Sequence, residues 1–164
     1  MCSSDLISFS LQYPSFLFPG KTQYDVGSGP DDLKITTMLN SINPLSWRKV
    51  ASLIKKENPD VVVIRYWIPF MAPCLAYIAR SVRKFTKVIA IVDNIIPHEK
   101  RIGDNLLSKH FVNALDGFIA MSGSVVNELK TFTTKPVSYL PHPIYDVYGK
   151  KVTKKEALKK LGLK

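Results

Sequence analysis

The seven residues Asp93-Asn94-Ile95-Ile96-Pro97-His98-Glu99 concentrate the chemistry of this chain. They bring an imidazole, two carboxylates and an amide into one short stretch. His98, with an unperturbed pKa near ~6.5, can donate or accept a hydrogen bond from a hydroxyl or a phosphate. Asp93 and Asn94 offer acceptors and a donor suited to a polyhydroxylated ligand. Glu99 orients His98, binds a ligand hydroxyl, or supplies the negative charge favoured at a helix start. The stretch directly follows the apolar run Lys87 to Val92, which reads as a buried strand. Ligands of open α/β sheets bind outside the carboxyl ends of strands, so the position itself gives these side chains a reason to exist beyond packing.

The elements that would hold such a site alternate along the chain. Ile7 to Ser10 reads as a strand and is followed by a polar stretch punctuated by Pro14, Pro19, Gly20, Gly27, Gly29 and Pro30. Lys34 to Leu39 is a second strand. Trp47, Val50, Ala51 and Ile54 then fall on one helical face, with Ser46 as cap and Pro59 as stop. Val61 to Ile64 is a continuous apolar run, as expected of a strand covered on both faces, and it leads into Arg65-Tyr66-Trp67. Leu75, Ile78, Ala79 and Val82 mark the next helix. After the strand ending at Asp93 come a helix over about 104–115, a strand over 117–121, a helix capped by Ser122 or Ser124, and a strand over 137–140. This β-α repetition predicts an α/β domain with a Rossmann-like, doubly wound parallel sheet. Thr153-Lys154-Lys155-Glu156 is a capping box opening a last helix that Gly162 stops.

Composition narrows the function classes. The 164 residues fit one domain, and 46% apolar content suffices for a core. Cys2 and Cys74 suggest neither a disulfide framework nor a metal site, and no secretory leader is visible, so a cytoplasmic setting is expected. The net charge of +10 is mostly local: Lys150 to Lys164 holds seven lysines and one acid. With no basic stripe interleaved with aromatics, nucleic acid is not an expected partner. Val61 to Ala79 approaches the length of a membrane span, but Arg65, Pro69 and Pro73 interrupt it, which favours a strand and the start of a helix.

Several short motifs occur in one order. They are Phe18 to Asp25, Ile42-Asn43-Pro44, Arg65 to Phe70, Asp93 to Glu99, Asp116-Gly117-Phe118, Met121-Ser122 and Pro141-His142-Pro143. Together the set resembles the amino-terminal half of GT-B-fold retaining glycosyltransferases of the group 1, or family 4, type. The likeness runs from Ile7 to Leu163. It implies a sugar transferred from a nucleotide-sugar donor to a glycan or lipid-linked acceptor in polysaccharide or glycolipid assembly, with no metal and no further cofactor. It also implies that residues 7–149 form the acceptor-side domain, and that 150–164 lead to a carboxyl-terminal, donor-gripping domain not present here. The strand and Gly-rich turn that open such domains are likewise expected to be missing, leaving an unpaired sheet edge and a poorly soluble, inactive fragment. Met1 to Leu6 has no counterpart in that family and reads as the translation of a sequencing-adapter oligonucleotide, a non-native leader.

Under this resemblance His98 is the catalytic candidate, and Asp93, Asn94, Glu99, Arg65, Tyr66, Trp67, Lys21 and Ser122 are candidate substrate contacts. Many relatives place His where Asp93 stands, so the role of a histidine at that point does not transfer: an ionised Asp accepts and cannot donate. Arg65 suits a phosphate, and Tyr66 and Trp67 suit stacking on a sugar, with one of the two expected to pack beneath the following helix. Lys21 suits an anionic or lipid-phosphate acceptor, and Ser122 exposes helix N–H groups to an anion. His142, between two prolines, fits a crossover better than catalysis. Arg80, Arg83, Lys84, Lys87, Lys100 and Arg101 form basic faces able to meet anionic headgroups, a peripheral contact with the inner membrane face. Two other readings compete: a stand-alone, non-catalytic α/β module that binds a membrane or protein partner, and a fragment of a GT-B-like nucleotide-sugar epimerase.

Overall fold

Apolar, β-branched runs bounded by Pro, Gly or Asp become strands, and the amphipathic stretches between them become helices. The computed structural model describes residues 4–15, 33–97, 101–143 and 152–163. Lys21, His98, Glu99 and Lys100 therefore lie outside the described residues. The elements in order are β1 (Asp5–Leu11), β2 (Lys34–Asn40), α1 (Pro44–Glu57), β3 (Val61–Tyr66), α2 (Ala72–Val82) and β4 (Lys87–Val92). They continue with α3 (Asp104–Asn113), β5 (Gly117–Ala120), α4 (Gly123–Phe132), β6 (Val137–Tyr139) and α5 (Lys154–Leu161). A 3-10 turn over Pro69–Met71 joins β3 to α2. The apolar stretch of 61–79 is thus divided among a strand, a turn and a helix, and no helix among the described residues is long and apolar enough to cross a membrane.

All strand pairings among the described residues are parallel. β3, β4, β5 and β6 form one sheet in that order, with Val61 opposite Lys87, Tyr66 opposite Val92, Ile89 opposite Gly117 and Phe118 opposite Val137. β1 and β2 form a second, two-stranded sheet. Asp5 and Leu6 belong to it, opposite Lys34 and Ile35, and Asp5 also receives the Lys34 ammonium at 3.1 Å. The stretch expected to be a leader therefore carries the first two rungs of β1.

Local chemistry moves one boundary. α1 starts at Pro44, and its cap is Asn43, whose side chain accepts from the Leu45 amide, rather than Ser46. The reason is that Pro at the first helical position has no N–H to leave unpaired, and Asn before it is a strong cap. Ser46 is instead buried and donates to the Asn40 and Asn43 carbonyls, tying the helix to the end of β2. Asn58 closes α1 in the left-handed conformation (φ 47°), which Asn tolerates better than most residues. The expected caps at Ser122 and Thr153 are present, the latter as a full capping box with Glu156.

The core lies on one side of the four-stranded sheet. Ile64, Tyr66, Val88, Ala90, Val92, Phe118 and Ala120 share the face that looks toward the helices, and all are buried. Tyr66 is 0% exposed and stacks on Phe111 of α3 with centroids 4.0 Å apart. α2 is stitched to the end of α3 by cations: Arg80 donates to the His110 carbonyl at 2.8 Å, and Arg83 meets Asp116 at 3.1 Å. Lys135 reaches the same helix end, donating to the carbonyls of Val112, Asn113 and Leu115. Cations at a helix carboxyl terminus satisfy orphan carbonyls and oppose the dipole, so these side chains have structural work. Arg80 and Arg83, expected on a headgroup-facing surface, are thus engaged within the fold.

Candidate functional site

The site forms where β3 and β4 end side by side. Their register sets Arg65 opposite Ile91, so the backbone one step beyond brings Asp93 beside Arg65 although the two are 28 residues apart in sequence. Arg65 Nε donates to Asp93 Oδ2 at 2.9 Å, and the Asp93 amide continues the ladder to the Tyr66 carbonyl at 2.9 Å. The guanidinium remains largely exposed, whereas the Asp93 side chain is 21% exposed. Asp93 Oδ1 is buried and accepts no hydrogen bond from the described residues. A buried carboxylate oxygen without a donor is costly, and an incoming hydroxyl or N–H would relieve that cost.

The loop that carries Asp93 and Asn94 is anchored from behind. Ile95 is wholly buried, and its carbonyl accepts from Ser108 Oγ of α3 at 2.8 Å. Asn94 is half-buried beside the strand end. His98 and Glu99 follow in sequence and lie outside the described residues, as does Lys21.

The two aromatic candidates of β3 part company. Tyr66 points into the core, and its hydroxyl lies 3.4 Å from Ser108 Oγ. Burial pushes its pKa up to about 12, so it stays a neutral phenol packed beneath α3, out of reach of a ligand at the strand ends. Trp67 lies on the other side of the chain. Its ring meets Phe9 edge to face at 6.3 Å, and its indole N–H donates to the Tyr13 hydroxyl. Tyr13 in turn stacks on Phe70 at 6.4 Å. Phe9, Tyr13 and Phe70 were not among the candidate site residues, although Phe70 closes the motif that begins at Arg65. Their spacing along the chain gives no sign that they converge, although a Tyr at the end of an apolar strand is itself a cue.

Ser122 sits at the end of β5 and acts first as a cap: Oγ accepts from the Val125 amide at 3.3 Å and lies 3.1 Å from Ser124 Oγ. The structure therefore brings together Arg65, Asp93, Asn94 and Trp67 at neighbouring strand ends, and sets Ser122 one strand further along. It withdraws Tyr66. Among the described residues no group of three or more His, Cys, Asp or Glu side chains converges as a metal site would require.

What this arrangement can do is bind. A cation, a carboxylate with one oxygen that no described residue satisfies, an amide and an aromatic wall suit a ligand that carries both hydroxyls and phosphate. Comparison with known proteins points the same way. No curated protein matches the chain. The sequence model of one family, described as Glycosyltransferase Family 4, matches residues 10–146. That span includes every strand of the four-stranded sheet and all of the strand-end site, and on this ground the chain belongs to Glycosyltransferase Family 4.

Proposed function

We propose that the chain is the acceptor-side half of a retaining glycosyltransferase that moves a sugar from a nucleotide-diphosphate donor to an acceptor hydroxyl in polysaccharide or glycolipid assembly. The observation that carries this reading is the orphaned Oδ1 of Asp93, held beside Arg65 where β3 and β4 end. One carboxylate oxygen is engaged by the guanidinium, and the other is buried with no donor among the described residues, so a ligand group that reaches it would satisfy it. Arg65 also offers charge to a phosphate, and Trp67 a flat wall. His98 and Glu99, next in sequence, would donate to and accept from the same ligand.

In such a reaction the leaving phosphate takes the acceptor proton, so the protein's part is to orient the sugar, stabilise developing charge and exclude water. These residues supply the first two parts and half of the third. On this reading the other wall of the cleft would come from a second domain. Lys84, Lys87 and Arg101, all exposed, remain for a peripheral contact with an anionic membrane.

The test is the intact reading frame at the source locus, read across both ends and expressed whole. Transfer should be measured from a panel of nucleotide sugars to lipid and glycan acceptors. Asp93→Ala is expected to lower kcat/KM about 100-fold with the fold retained. Wild-type transfer by that variant, or no transfer from any nucleotide sugar by the whole protein, would end this reading.

A further inference from the structure

Helix α3 carries apolar side chains that the fold uses and apolar side chains that it does not. Phe111 and Val112 are wholly buried, and Leu107 packs against the core. One such stripe is all that a helix covering a sheet face requires. Ile102 and Leu106 lie outside it. Ile102 stands just before the Gly103 cap, and Leu106 falls in the first turn. A residue before the cap commonly staples onto that turn, but Ile102 is fully exposed and Leu106 is 73% exposed. They are the two most exposed large apolar side chains among the described residues, and they occur together at one end of one helix. Single surface leucines are ordinary, whereas a pair so placed marks a surface that meets something.

Cations flank the pair. Arg101 precedes Ile102 and Lys109 lies one turn beyond Leu106, and both are exposed. His110, on the same turn as Lys109, has Arg80 Nη1 at 2.7 Å from its Nε2, which brings a further guanidinium to that side. The acid of the first turn, Asp104, is half-buried, and its carboxylate is folded back to accept from the Arg101 amide at 2.8 Å. Projecting apolar side chains bordered by positive charge match the acyl boundary and headgroups of an anionic bilayer, which needs no shaped recess to receive them. A second exposed apolar group, Phe85, stands at the amino end of β4, but Lys55 already lies over its ring at 5.3 Å. That ring is engaged within the fold, and the α3 pair is not.

We propose that the amino end of α3 is a membrane-docking surface: Ile102 and Leu106 enter the headgroup boundary of an anionic bilayer while Arg101 and Lys109 meet its phosphates. The position bears on the strand-end site. α3 follows β4, and its Ser108 donates to the carbonyl of Ile95, two residues past Asp93. The start of α3 and the Arg65–Asp93 pair therefore share one end of the sheet. Docking there holds that pair next to the bilayer surface, so the acceptor hydroxyl belongs to a lipid-linked molecule and not to a free glycan. This last step rests on the sugar-transfer reading of the site; the docking itself does not.

The experiment is flotation of the whole chain with vesicles of phosphatidylcholine, alone or with about 30% phosphatidylglycerol, and with no nucleotide sugar present. Binding is expected to the anionic vesicles. Ile102→Ser combined with Leu106→Ser should weaken it at least about tenfold. Lys109→Glu should weaken it about fivefold and flatten its dependence on salt. These changes fall on exposed side chains, and circular dichroism checks that the fold is kept. Phe85→Ser removes an apolar group at the far end of the sheet and should leave binding within about twofold. Full binding by the serine variant, no binding of the unaltered chain to anionic vesicles, or a loss caused by Phe85→Ser alone each overturns the proposal. A concentration-dependent dimer that the serine variant abolishes also overturns it, assigning the patch to a second copy. Because no sugar is present, a failure to dock is distinct from a failure of transfer in the Asp93→Ala assay.

Discussion

The two faces of the four-stranded sheet have similar residues and opposite fates. On one face Ile64, Tyr66, Val88, Ala90 and Val92 are packed beneath α1, α2 and α3 and have almost no contact with solvent. On the other, Val61, Val63, Ile89 and Ile91 are just as apolar and remain half-open. Burial is thus decided by which side the crossovers take, a matter of chain handedness and strand order, and not by hydrophobicity at each position. The candidate site sits at the junction: Arg65, Trp67 and Asp93 continue the open face at its carboxyl end, whereas Tyr66, one residue from two of them, belongs to the covered one.

Substitutions of matched character on the two faces give the sharpest contrast. Phe111→Ala removes the ring stacked on Tyr66 and leaves a cavity in the covered face, so it should cost about 3–5 kcal/mol in a denaturant melt. Val63→Ala on the open face should cost less than about 1 kcal/mol, because much of that side chain already meets water. Equal losses would mean the open face is covered in solution.

A smaller effect is expected where cations hold the helix ends of the covered side. Lys135→Met leaves the carbonyls of Val112, Asn113 and Leu115 without their donor and should cost about 1–3 kcal/mol. Arg65→Ala breaks an ion pair whose cation is mostly in solvent, so stability should change by less than about 1 kcal/mol. A larger drop would recast Arg65 as a structural residue.

The open face should also show itself in solution behaviour. An unpaired, apolar sheet region promotes self-association. Val61→Lys with Val63→Lys is expected to raise the soluble, monomeric fraction in size-exclusion chromatography. An unchanged profile would point to association through some other surface.

The smallest effect concerns pH. His110 is held below its ordinary pKa of 6.5, first by partial burial and then by the neighbouring Arg80. The unfolded chain therefore binds the proton more readily between the folded value and 6.5. Stability should rise with pH through that window and lose this contribution as pH falls below it. His110→Gln should flatten the slope, and an identical slope in the variant would remove His110 from the account.

The place of Asp93 and Asn94 directly after β4 was legible in the sequence, because a continuous apolar run ends there, whereas His98 and Glu99 lie outside the described residues. The pairing of Asp93 was not. Nothing local says that Arg65 and Asp93 meet, since that contact depends on β3 and β4 lying parallel in a single register. The choice between Tyr66 and Trp67 was equally hidden. Strand alternation guarantees that neighbouring side chains face opposite ways, but which way is inward depends on where α3 packs. Tyr13 as partner to Trp67 required the two sheets to abut.

The sequence by itself determined the succession of elements, most of their ends and the α/β class. These depend on hydrophobic periodicity, prolines and caps, whose physics extends over a few residues. Only the tertiary structure decided which face is buried, that the described strands fall into two sheets, and that one oxygen of Asp93, beside Arg65, has no donor among the described residues. Those features arise from contacts between residues tens of positions apart, which local periodicity cannot encode.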